Sequence, residues 1–143
     1  MLTVRTILQH KGRAVHHVAP DATVLDALRA MASHDCGALV VLDGGRPIGM
    51  LSERDYARKV VLMGRVSKDT PVSEIMDVNV VRVPMDLGVE KCMAIMTERR
   101  TRHLLVHDDD RMAGLISIGD VVKALIDDQQ FTIEQLEKYI TGA

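Results

Sequence analysis

The sequence predicts an α/β fold built from two tandem β-α-β-β-α repeats packed with pseudo-twofold symmetry, followed by an extra C-terminal helix. Three observations lead there. Displacing the chain on itself by 65 residues aligns 18–58 with 83–123 without a gap, and 11 of those 41 pairs are identical. Each copy repeats one alternation of patterns: a short apolar segment, an amphipathic helix, two compact apolar segments around a tight turn, and a second helix. One unit of about 60 residues is too small for a comfortable core of its own, so the two are expected to bury their apolar faces together.

The elements follow in order. Val4-Arg5-Thr6-Ile7-Leu8 leads the first copy and Val72-Ser73-Glu74-Ile75-Met76 the second, offset by 68 because the first copy carries three extra residues. Residues 14–18 and 79–83 are the short apolar segments, each running into turn signals around Pro20 or Pro84. A helix is then expected with Val24, Leu25, Leu28, Met31 and Ala32 on one face and Thr23-x-x-Asp26 as its capping box; Val89, Met93 and Met96 give the second copy the same face. Strands at 38–42 and 47–51 flank the turn Asp43-Gly44-Gly45-Arg46, a hairpin signal that Asp108-Asp109-Asp110-Arg111 repeats less neatly. Second helices begin at Ser52 and Ser117 and are expected to end near Met63 and Asp127, with 64–70 as polar connector. Thr132-Ile133-Glu134-Gln135 reads as a capping box opening a separate last helix. The division is therefore 1–66, first repeat; 67–128, second repeat; 129–143, C-terminal helical extension.

Composition excludes several functions. Of 143 residues 47% are apolar and 27% charged, with a net charge of −2, so no basic excess exists to hold nucleic acid or an anionic membrane. The apolar stretch 37–42 is far short of the roughly 20 residues a membrane span needs. No long apolar run opens the chain at Met1-Leu2-Thr3-Val4-Arg5, and Cys36 and Cys92 do not make a disulfide scaffold; reduced thiols in a cytoplasmic protein are expected. Aromatic residues are 2% of the chain, so a planar ligand must be held by aliphatic side chains.

The candidate chemistry is Gly49-x-x-Ser52-x-x-Asp55, echoed by Gly114-x-x-Ser117-x-x-Asp120, each where a strand runs into a helix. Ser and Asp at i, i+3 share a first helical turn beside unpaired backbone N–H groups. A carboxylate there can accept two hydrogen bonds from a ribose diol, and the Ser hydroxyl with the helix start can take a second polar group. The same spacing is also a plain capping box, as at Thr23 and Asp26. The repeated glycine suggests room beside the backbone for something more. Other residues carry less. The six histidines match no zinc spacing, so no metal is expected, and His16 and His17 point to opposite sides of a strand. His34 near Cys36 makes no nucleophile–base pair with an oxyanion site, the methionines sit at core spacing, and Asp108–Asp110 lacks the Gly and distant Glu of a calcium loop.

The duplicated order, the leader Val72-x-x-Ile75-Met76, the paired Gly-x-x-Ser-x-x-Asp, and the phrases Ser52-Glu53-Arg54-Asp55 and Arg102-His103-Leu104 resemble a tandem pair of CBS domains, the Bateman module, over roughly residues 4–128. The resemblance implies a regulatory module, not an enzyme. It would bind an adenosine-containing ligand (AMP, ADP, ATP, S-adenosylmethionine or NAD(H)) in two clefts between the repeats, form a homodimer, and signal to a regulated protein in trans. Carried over by position, one cleft takes Ser117 and Asp120 for the ribose, with Lys11, Gly12, Val15, His16 and His17 and the strand entry Cys36, Gly37 and Ala38 around the base. The other takes Ser52, Arg54 and Asp55 with Val80, Val81, Thr101, Arg102 and His103, where Arg54, Arg102 and His103 supply positive charge for phosphate. The chain departs from the family at Val40 and Leu105, where a proline is usual, and Asp35-Cys36-Gly37 in the first copy is neutral to acidic where Arg100-Thr101-Arg102 in the second is basic, so the two clefts are expected to differ in affinity. Two rivals stand beside this reading: a ligand-free dimerisation adaptor and a small enzyme. No acid–base pair in the sequence supports the enzyme.

Overall fold

Duplication dictates the architecture. The computed structural model describes residues 2–142; Met1 and Ala143, the outer ends of the first repeat and of the C-terminal extension, lie outside the described residues. The elements are α1 (Val4–Lys11), β1 (His17–Val18), α2 (Val24–His34), β2 (Ala38–Asp43), β3 (Arg46–Ser52), α3 (Glu53–Tyr56), β4 (Arg82–Pro84), α4 (Val89–Arg99), β5 (His103–Asp108), β6 (Arg111–Ser117) and α5 (Ile118–Thr141). They make two three-stranded sheets, ordered β1-β2-β3 and β4-β5-β6, the first pair of each parallel and the second antiparallel. The register repeats as faithfully as the sequence. Val41 faces Gly49 as Val106 faces Gly114, and each hairpin has one irregularity, after Val41 and after Val106.

The identities between copies are largely core positions. Val24 and Val89, Met31 and Met96, Leu39 and Leu104, and Val41 and Val106 are all buried, as are the apolar swaps Ala27/Cys92, Val40/Leu105 and Leu51/Ile116. Strands β2 and β5 are covered on both faces, which explains their unbroken apolar runs. Thr23 caps α2 by accepting from the Asp26 N–H at 3.1 Å, but only this half of the expected capping box is found, and the Asp26 carboxylate stands 3.7 Å from Arg29 instead. The first hairpin turn takes Gly44 and Gly45 into positive φ, and the second places Asp109 there. A feature the pattern did not signal is that α2 and α4 both end on a non-glycine residue in the left-handed region, Asp35 at φ 51° and Arg100 at φ 52°.

The chain falls into two compact units, Met1–Arg13 with Val81–Ala143, and Ala14–Val80. Each unit combines the leader of one copy with the strands and helices of the other. In the first unit the leader of the first copy serves the second: Val4 N–H donates to Leu87 O at 2.9 Å, Arg5 N–H to Met85 O at 3.0 Å, and Val89 N–H to Leu2 O at 3.1 Å. The second unit repeats the three bonds with the other leader: Val72 N–H to Ala22 O, Ser73 N–H to Pro20 O and Val24 N–H to Thr70 O, at 2.8–2.9 Å. Thr70 is the buried polar residue of this join, its hydroxyl satisfied by Val66 O.

The structure adds two local features the pattern leaves open and corrects one expectation, the separate last helix. The first leader is a two-turn helix, whereas the second is only a short 3₁₀ turn, Val72–Glu74, because Asp77 then pairs with Met50 through both backbone groups and its side chain turns the chain at Asn79. The helix after Ser52 is α-helical only to Tyr56 and continues as a π-helical turn, Ala57–Val61. Thr132 opens no helix. Residues 120–141 hold neither Gly nor Pro, so α5 runs unbroken for 24 residues, and Thr132 Oγ1 donates to Asp128 O one turn back.

Candidate functional site

Each unit places its Ser-x-x-Asp at the step from sheet to helix. In the first unit β6 ends at Ser117, which caps α5: Asp120 N–H donates to Ser117 Oγ at 3.2 Å, and Ser117 N–H donates to Asp120 Oδ2 at 2.8 Å. Lys11, at the last turn of α1, reaches the same spot. Its Nζ donates to Asp120 Oδ2 at 2.6 Å and to Leu115 O at 2.7 Å. Asp120 Oδ1 has no hydrogen-bond partner among the described residues. The carboxylate is three-quarters covered, with 25% of its side chain exposed. Burial alone would push Asp120 up, but the hydrogen bonds from Lys11 and Ser117 and the lysine charge outweigh it and hold the carboxyl below its usual range. Beside this group lies a hollow of about 270 Å³ lined by Ile7, His10, Lys11, Asp120, Lys123 and Asp127, among others.

The second unit has the same cap with a different cation. Ser52 N–H and Oγ both donate to Asp55 Oδ2 at 3.0 Å, and Asp55 N–H returns to Ser52 Oγ at 3.1 Å. Lys59 Nζ stands 3.4 Å from Asp55 Oδ1 and donates to Ile75 O at 3.1 Å. Both oxygens of Asp55 are thus engaged. Lys59 was absent from the sequence expectation, although an i, i+4 Asp–Lys spacing signals such a pair. His10 and Lys123, which line the hollow, are absent from the sequence expectation as well: His10 reaches Asp120 only through the folding of α1 against α5, whereas Lys123 lies three residues further along the same helix, a spacing the sequence does show.

The remaining expected residues divide between the units. In the first, Val81 O accepts from Leu105 N–H at 2.9 Å, His103 pairs with Ser117, and Arg102 O accepts from Ile118 N–H at 2.8 Å, so the strand entry Thr101-Arg102-His103 adjoins the helix start carrying Asp120. Thr101 Oγ1 donates to His103 O, and Gly12 closes α1 at φ 95°. In the second, Ala38 pairs with Ser52, Gly37 O accepts from Glu53 N–H at 3.0 Å, and His16 O accepts from Val40 N–H at 3.1 Å. The ring of His16 is stacked on His34, centroids 3.9 Å apart. His17 and Arg54 are exposed; Val15, Cys36 and Val80 are half-buried. Cys92 is buried, and burial raises its thiol. Among the described residues no three His, Cys, Asp or Glu groups gather as metal ligands.

The room beside the repeated glycine is taken by a leader side chain. A Cβ on Gly114 would lie 2.7 Å from Leu8 Cδ2, and one on Gly49 would lie 2.7 Å from Met76 Sδ and 3.1 Å from Asp77 O. Leu8 and Met76 are corresponding leader residues, so both glycines let a leader lie against a strand. Gly114→Ala is expected to destabilise the protein by about 1–3 kcal/mol through overpacking, and by clearly less when Leu8→Ala is also present. Urea unfolding of the four-member cycle checks this; strictly additive effects would refute the contact.

The low Asp120 titration has a sign. A carboxyl whose folded pKa lies below its unfolded value of about 3.9 adds stability above that pH and loses it as pH falls through the folded value. The stability gap between wild type and Asp120→Asn is therefore expected to be full above about pH 4 and to close below it. A gap unchanged at pH 2.5 in denaturant titrations would contradict the Lys11–Asp120 geometry.

The CBS-domain family model matches residues 4–62 and 72–127, well over half of the chain. The protein belongs to the CBS-domain family. Among its relatives, the mitochondrial CBS domain-containing protein CBSX3 of Arabidopsis thaliana is 36% identical over 98% of this chain and 72% of its own length. The solved structure of a candidate signal-transduction protein with CBS domains from Burkholderia ambifaria is 50% identical, covering 92% of this chain and 98% of that one, with a TM-score of 0.86. The hexameric CBS-CP12 protein of bloom-forming cyanobacteria is 29% identical over 85% of this chain and 70% of its own, with a TM-score of 0.76. The paired Ser-x-x-Asp caps therefore sit in two copies of the CBS motif. Among the described residues no helix is long and apolar enough to cross a membrane.

Proposed function

We propose that this CBS-domain protein senses an adenosine-containing ligand, AMP, ADP, ATP or NAD(H), and passes the signal to a separate protein in the cytoplasm. The observation that carries the reading is the open Oδ1 of Asp120 beside the Lys11 ammonium, at the edge of a 270 Å³ hollow. A carboxylate oxygen accepts from a ribose hydroxyl, while Lys11, with Lys123 and His10 nearby, offers positive charge to a phosphate. Asp55 and Ser52 form the weaker counterpart, since a ligand there must displace Lys59 from Asp55 Oδ1. The backbone of the strand entries at 37–38 and 102–103 reads the base edge, as the resemblance implies. The protein acts as a binding module without a catalytic residue of its own, and it self-associates, as the hexameric relative does. Regulation follows only if the ligand prefers one conformation of the protein over another.

The ligand-free adaptor has one observation in its favour: both carboxylates already serve as helix caps. Isothermal titration of the purified protein with AMP, ADP, ATP, NAD and NADH separates the two. The sensor predicts saturable heat from at least one of them; no heat from any favours the adaptor.

A further inference from the structure

Helix α5 is anchored at only one end. Val121 is buried and Ala124 and Leu125 pack on the core of the first unit, but every described residue from Ile126 onward is exposed. The 16 helical residues Ile126–Thr141, about 24 Å of helix at roughly 1.5 Å each, therefore lack tertiary support, and a helix of that length is marginal alone in water. Along this stretch Val122, Ile126, Gln129, Ile133, Leu136 and Ile140 follow at spacings of 4, 3, 4, 3 and 4. That is one narrow seam of period 3.5, the pattern that pairs helices rather than burying one against a sheet. The apolar members are open to solvent, Ile126 at 58%, Leu136 at 57% and Ile140 at 80%.

We propose that this seam is an antiparallel helix–helix interface with α5 of a second copy of the chain. The seam complements itself in that direction: Ile126 meets Leu136 of the second copy, Val122 meets Ile140, and Gln129 lies against Ile133. The charges beside the seam fix the direction. Lys123 and Glu137 occupy equivalent flanking positions two heptads apart. Antiparallel pairing sets Lys123 of each copy opposite Glu137 of the other, twice by symmetry; parallel pairing sets Lys123 near Ile118 and Glu137 near Thr132, with no partner for either charge. The two symmetric layers that set Gln129 against Ile133 lower stability but penalise slipped registers.

This rests on the self-association proposed above, and its failure is separable. Sedimentation velocity of the full chain is the test, with circular dichroism as a folding control. The double variant Ile133→Glu, Leu136→Glu is expected to weaken association roughly a hundredfold or more by burying charge in the seam. Lys123→Glu or Glu137→Lys alone should weaken it roughly three- to tenfold, and the two together should restore it. A wild type that stays monomeric overturns both self-association and the seam. An assembly indifferent to the seam variant overturns the seam alone. An assembly that responds to the seam but to neither reversal overturns the antiparallel direction.

Discussion

Leu104→Ala is expected to lower unfolding free energy by about 2–5 kcal/mol, measured by urea denaturation, the range for deleting a fully enclosed leucine side chain. Leu104 is completely buried on β5, in a core shared with Val83, Val89, Met96 and Ile116 and with Leu8 of the exchanged leader. Its repeat mate Leu39, equally buried on β2 among Val24, Met31, Leu51 and Val72, should behave alike. Leu136→Ala supplies the contrast. That side chain is more than half exposed, so the folded chain at a concentration too low for association should lose no more than about 0.5 kcal/mol. A loss below about 1 kcal/mol at Leu104 would mean that β5 is not the core strand the register makes it.

The second large effect concerns the ligand. Asp120→Asn is expected to weaken binding of the adenosine ligand roughly 10- to 150-fold, the equivalent of losing about 1.5–3 kcal/mol of charge-assisted hydrogen bonding. Asp55→Asn should cost less, because Lys59 already engages the oxygen a ribose would need, whereas Asp120 Oδ1 is open. Asparagine retains a side-chain oxygen for the cap, so circular dichroism should show both variants folded and the comparison should report affinity. Titration calorimetry checks the ranking. Equal affinities for wild type and Asp120→Asn would remove the carboxylate from the ligand account.

What could be read from the sequence follows from the distance over which each feature is decided. The pairs Leu39/Leu104, Met31/Met96 and Val41/Val106 are legible because duplication marks them twice and burial alone explains why both copies keep the same apolar type. The Ser-x-x-Asp caps are legible because three residues suffice to define them. The leader exchange is not. Ala22 and Leu87 offer equivalent carbonyls to whichever leader arrives, so duplication creates two docking places that the pattern cannot tell apart. What fills the room beside Gly49 and Gly114 is not legible for the same reason: it appears only when Met76 and Leu8 lie against them. Lys11 and Asp120 are 109 residues apart, and only the family resemblance set them in one site. The unbroken α5 shows the converse. A local Thr-x-x-Gln signal yields to a continuous run of helix formers when no glycine or proline stops it.

The most direct test is a crystal structure of the protein grown with a saturating adenine nucleotide. The sensor account predicts the ribose hydroxyls within roughly 2.6–3.0 Å of the Asp120 carboxylate, with Lys11 turned toward phosphate. A structure in which Asp120 still bonds only Ser117 and Lys11, with no nucleotide at either Ser-x-x-Asp, would contradict it.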